Sequence, residues 1–309
     1  MTSPLGYPLA LTKAPGFCLQ NAMLAGNSGD DSCALMSDDM RTPMRAGRAL
    51  VAHGKGCLSE RELAVVTSVD RYKYLSAKQL EELHFFAHAT PLTGARTCRR
   101  VLAHLTRAGI LWRLERRIGG IRAGSVSYVY ALTPLGCRVL HEGGGGLIRR
   151  REPSEEFLDH TLAIAQLAVD LHCLARPDKS SVVLLEIEPE PHCWRPFTAG
   201  LEGAQVLKPD LSVALQAGEY EYHWFVEIDL ATHSAAAVVR KCRLYHRYWS
   251  TGIEQDHSGL FPRVLFVAPI LRRAGLLERS IAAAGRLNRD LFAVTTTADA
   301  LDCLTGAAT

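Results

Sequence analysis

The 309-residue sequence has no apolar run near the roughly 18 residues that a membrane span needs. Its start, MTSPLGYPLALTKAPGF, lacks a basic stretch followed by an apolar core, so no secretory leader is expected. The nine cysteines include no C-x-x-C pair. That spacing excludes the usual zinc sites and points to reduced thiols in a cytoplasmic protein. No His-x-His sequence occurs, so the histidine triad of a rolling-circle relaxase is missing. The only long glycine run, Gly143–Gly146, lacks the Gly-Lys-Ser/Thr ending of a phosphate loop.

What the chain does have is uneven charge. The net +3 divides into zero for residues 1–54 and +9 for 55–150, where 16 Lys/Arg face 7 Asp/Glu. Residues 151–309 carry 15 Lys/Arg against 21 Asp/Glu, a net −6. One part is thus suited to a polyanion and the other is not.

Residues 1–53 are rich in Gly, Ser, Pro, Asp and Met without a sustained apolar period, and read as a disordered segment. Residues 54–142 read as a domain. Ser59 and Glu62 form a capping box ahead of the stripe Leu63, Val66, Val69. A second short helix follows Ser76, through Leu80 and Leu83. A third, TGARTCRRVLAHLTRAG, opens at Thr93 and stops at Gly109, with Cys98, Val101, Leu102 and Leu105 inward and the arginines outward. Two alternating strands, ILWRLERR and SVSYVYAL, flank a turn at Gly119-Gly120, and Thr133-Pro134 starts a closing helix. Helix, helix, basic helix and ribbon is the winged helix-turn-helix order. Such a fold lays its third helix in the major groove of DNA. Arg96, Arg99, Arg100 and Arg107 are therefore expected to meet the duplex, and Arg116, Arg117 and Arg122 to meet phosphates or the minor groove beside the ribbon.

Residues 143–156 read as a Gly/Arg-rich linker. Residues 157–309 read as a second domain. An amphipathic helix (FLDHTLAIAQLAVDLHCLA) precedes strand SVVLLEIE and an irregular Pro-rich stretch to Leu207. Strands LKPDLSVAL and YEYHWFVEIDL follow, then a helix over Ala235–Trp249, strand RVLFVAP, a helix and a last strand. The core order is α-β-β-β-α-β. Asp210 stands at the entry of one strand, and Glu227 and Asp229, two apart, end the next and share a face. If these strands form a hairpin, three carboxylates converge. Close carboxylates need a counter-charge, and such an oxygen-rich set suits Mg²⁺ or Mn²⁺. A metal so held can activate water against a phosphodiester. His160 and His172 read as ordinary helix residues, with His160 a possible cleft liner. Tyr245, Tyr248, Trp194, Trp224 and Trp249 read as packing aromatics.

The order α-β-β-β-α-β with Pro209-Asp210 and FVEID resembles the PD-(D/E)XK nuclease-like fold of restriction endonucleases and resolvases. Asp229 stands where that pattern has its lysine. Lys241, in the next helix, is the candidate replacement, with Lys208 second. The whole arrangement resembles the replication-relaxation family of actinobacterial plasmids and integrated elements. The matching residues are Pro209-Asp210, Glu227-Ile228-Asp229, Thr232, and Lys241 with Tyr245. The resemblance implies an α+β protein, a winged helix followed by a restriction-endonuclease-like domain. It also implies a DNA-binding role in plasmid or mobile-element replication or transfer, with double-stranded DNA as partner. Asp210, Glu227 and Asp229 would be metal ligands and Lys241 a catalytic aid if the site is an endonuclease or nickase. A plain transcriptional regulator is the other alternative. A homodimer or a replication or transfer protein is the further partner expected.

Overall fold

The computed structural model describes residues 11–13, 56, 58–118, 127–141, 152–198 and 203–307, without the side chains of 11–13 and 115–118. Residues 143–151 of the proposed 143–156 linker, the ribbon tip with Arg122, and nearly all of the segment 1–53 lie outside the described residues. Within that segment, Leu11–Lys13 forms strand β1. Three residues are too few to show a period in sequence. The chain divides into two compact units, residues 16–162 and residues 1–15 with 163–309. Together they make an α+β protein.

In the unit of residues 16–162, helix α1 (Glu60–Tyr72) carries the capping box read from Ser59 and Glu62. It buries Val65, Val66, Val69 and Tyr72. Strand β2 (Leu75–Ser76) leads into α2 (Ala77–His84), capped by Ser76 with Gln79 closing a second capping box. Helix α3 spans Pro91–Arg107. It begins before the expected Thr93, because Thr90 accepts the Thr93 amide and Pro91 occupies the first turn, where no amide donor is needed. Cys98, Leu102 and Leu105 are buried as expected, whereas Val101 is only half-buried. Strands β3 (Leu111–Ile118) and β4 (Ser127–Leu132) pair antiparallel, and β2 joins β4. Helix α4 (Pro134–Leu140) starts at Thr133, whose hydroxyl accepts the Gly136 amide. Helix α5 runs from Glu155 to Leu174, and only its part up to Leu162 belongs to this unit. Its Leu158 and Leu162 pack with Leu114, Val129 and Ala131.

In the other unit, β5 (Val183–Pro189) is an edge strand. The stretch read as irregular contains a hairpin of β6 (Arg195–Thr198) and β7 (Ala204–Leu207). Each strand is four residues long and β6 contains Pro196, which argued against a strand. Strands β8 (Leu211–Ala217) and β9 (Tyr220–Ile228) form the expected hairpin, turning at Gly218 in a left-handed conformation. Helix α6 (Ala235–Thr251) and the short α7 (Ile253–Ser258) lead to β10 (Arg263–Ala268), which is parallel to β9. Helix α8 (Leu271–Ala283), strand β11 (Phe292–Thr296) and α9 (Ala300–Leu304) complete the chain. The sheet order is β11-β10-β9-β8-β5, and β1 pairs with the start of β9, before β10 begins. One core cluster joins Phe225, Val264 and Phe266 of the sheet to Val238, Cys242, Tyr245, Tyr248 and Trp249 of α6 and to Leu277 and Ile281 of α8.

Candidate functional site

Strand alternation places the acids. Phe225 packs in the core that α6 supplies, so Glu227, two residues on, points to the same side. Asp229 continues the pattern, its amide donating to the Val267 carbonyl at 2.9 Å. Asp210 sits across from β9, with its amide on the Val226 carbonyl (3.1 Å) and its Oδ2 accepting from the Ile228 amide (2.7 Å). All three carboxylates are buried.

Each is held by the protein. Glu227 accepts from Lys241 Nζ at Oε2 and from the Tyr245 hydroxyl at Oε1. Lys241 Nζ also lies 3.9 Å from Asp210 Oδ1. Lys241 and Tyr245 are one helical turn apart on α6, which is why both reach one carboxyl. Tyr245, read from the sequence as a packing aromatic, is fully buried and is also a hydrogen-bond donor to the site. Asp229 faces another helix: Arg273 on α8 donates to its two oxygens at 2.6 and 2.9 Å, and also to the His233 carbonyl at 2.6 Å. Arg273 was not among the residues expected at the site. The Lys208 ammonium lies 4.4 Å from the Trp194 ring centre.

In this arrangement protein donors meet the carboxylates. Both oxygens of Glu227 and both of Asp229 already accept from cationic or hydroxyl donors. Among the described residues no group of three or more His, Cys, Asp or Glu could hold a metal ion. An ammonium and a guanidinium supply counter-charge to Glu227 and Asp229.

Burial pushes the Glu227 carboxyl up to about 8, against the pull of Lys241. Burial alone would lower Lys241, but the carboxylates of Glu227, Asp210 and Glu190 together raise it. Burial also drives the Tyr245 hydroxyl upward, so it stays a donor. A raised acid favours folding fully below its unfolded value near 4.5, and that contribution is lost as pH rises through about 8. The wild-type melting temperature is therefore expected to fall between pH 5 and pH 9 relative to Glu227→Gln, as calorimetry across that range would show. Parallel curves would place the titration elsewhere.

A separate cleft of about 490 Å³ is lined by Glu188, Arg195, His223, Tyr248 and Glu254 among others, and by none of Asp210, Glu227, Asp229 and Lys241. His160 and His172 are half-buried on α5. Trp224 and Trp249 are buried as expected, and Trp194 is half-buried. Burial raises the Cys193 and Cys242 thiols to about 12, so neither is a ready nucleophile.

The basic surface is on α3. Arg96, Arg99, Arg100 and Arg107 are all exposed, opposite the buried face of Gly94, Cys98, Leu102 and Leu105. Arg116 and Arg117 lie on β3 by backbone, their side chains outside the described residues.

The molecule is thus an α+β protein with a helical unit that exposes an arginine-bearing helix and a sheet unit that buries an acid–lysine–tyrosine cluster. It belongs to the replication-relaxation family, whose sequence model matches residues 66–264. No curated protein and no solved structure matches the chain. The family's description connects the chain with replication or relaxation. Among the described residues no helix is long and apolar enough to cross a membrane.

Proposed function

We propose that the protein is a DNA-binding component of plasmid or mobile-element replication, with residues 54–142 as a winged helix on duplex DNA and a nuclease-like second half that serves as a scaffold. The observation that carries the DNA reading is α3: four arginines lie exposed on a 17-residue helix that contains no acidic residue. Phosphate contacts from these side chains supply most of the affinity and make it fall steeply with salt. The scaffold reading rests on the acid cluster, where Lys241, Tyr245 and Arg273 already engage Glu227 and Asp229. Any DNA cleavage would first require those contacts to break.

The test is a gel-shift titration of duplex DNA at several salt concentrations. Arg96→Glu with Arg100→Glu is expected to weaken binding more than tenfold and to flatten the salt dependence, by about one unit of log–log slope per lost phosphate contact. Unchanged binding in that double variant would remove α3 from the interface. Supercoiled plasmid with Mg²⁺ or Mn²⁺ should stay uncut. Nicking that Asp210→Ala abolishes would instead make the cluster an endonuclease site.

A further inference from the structure

Leu92 sits in the first turn of α3 and is 73% exposed. A leucine there loses the roughly 2 kcal/mol that burial would give, and the first turn of a helix favours acidic residues instead. On a helical projection Leu92 is aligned with Arg96, Arg99, Ala103 and Arg107, all exposed. This stripe therefore has an apolar tip, arginines through its middle, and a small residue at Ala103 that allows close approach. The tip is firmly placed. Thr90 caps the helix, and Gly94 brings its backbone against the Phe85 carbonyl, where a Cβ would lie only 2.5 Å from the oxygen.

Resting on the DNA reading above, we infer that Leu92 is a base-reading residue that packs on the C5-methyl of a thymine in the major groove, while Arg96 or Arg99 reads a guanine beside it. The thymine methyl is the apolar feature that groove presents, and guanine offers two acceptors to an arginine fork. The charge around Leu92 favours a polyanion over an apolar protein partner. Four residues of helix rise about 6 Å, close to two base steps of about 3.4 Å. The preferred duplex accordingly carries a thymine within about two base steps of a guanine.

The test starts by enriching a random duplex pool on the full chain. Each thymine of the enriched duplex is then replaced by deoxyuridine, which removes only the methyl group. One position is expected to lower wild-type affinity about fourfold, the effect of one buried methyl. Leu92→Ala should bind the thymine duplex about as weakly as wild type binds the uracil one, and should not respond to the exchange. Its melting temperature should match wild type. If wild type enriches a sequence but tolerates every exchange, or Leu92→Ala keeps the sensitivity, the thymine contact is wrong and the DNA reading stands. If Leu92→Ala instead changes the sedimentation coefficient, Leu92 belongs to a contact between copies, and the inference fails. If no duplex is bound at low salt, the DNA reading falls and this inference with it.

Discussion

Arg273→Met is expected to destabilise the protein by about 3 kcal/mol, because it leaves the Asp229 carboxylate buried without its partner. The pair is bidentate, at 2.6 and 2.9 Å, and both side chains are largely shielded from water. Arg273 also fixes the His233 carbonyl, so the same change frees the loop between β9 and α6. The sign reverses in the double variant. Asp229→Leu with Arg273→Met removes both charges, and replacing a buried ion pair by apolar groups is often neutral or better. Its stability should return to within about 1 kcal/mol of wild type. Chemical denaturation of the two variants decides the point: equal losses in both would show that Arg273 acts through packing and the His233 contact alone. The outcome also bears on function. A residue at the position where the nuclease pattern has lysine would then be a structural anion, clamped by a helix that the pattern does not mention.

That clamp shows where sequence reading stops. Ser59 with Glu62 and Ser76 with Gln79 were open to it, or nearly so, because a capping box is complete within four residues. The meeting of Lys241 and Tyr245 on Glu227 was legible in part. A Lys-x-x-x-Tyr spacing puts both on one helix face, and parallel strands β9 and β10 need a crossover helix between them. Arg273 belongs to a different helix, 44 positions beyond its carboxylate, and no local period points back to Asp229. The β6–β7 hairpin was missed for the opposite reason, since Pro196 was local information that pointed the wrong way. In the same manner Thr93 looked like the opening of the helix because it precedes the first recognisable turn, while Pro91 had already begun it. Spacing brings acids together without saying which donors arrive with them. The acids did share a face, but α6 brought an ammonium and α8 a guanidinium.

Gly94→Ala is the second large effect, and its sign opposes helix propensity. In an open helix interior, alanine is favoured over glycine by about 1 kcal/mol. Gly275, within α8, is such a position: a Cβ there meets only the end of the Arg279 side chain at 3.2 Å, which can move aside. Gly275→Ala is therefore expected to stabilise the protein by up to about 1 kcal/mol. At Gly94 the obstacle is the Phe85 carbonyl, backbone that follows α2 and is itself hydrogen-bonded to Glu81 through its amide. It cannot yield without moving the end of α2. Gly94→Ala should lower stability by about 2 kcal/mol, in the range of overpacked sites. It should also lift the first turn of α3, which carries Leu92 and leads to Arg96. DNA affinity is then expected to fall more than stability alone explains, measured at a temperature where both proteins are fully folded. A variant that melts lower yet binds DNA as wild type does would show that the α2–α3 contact serves folding and leaves the reading face in place.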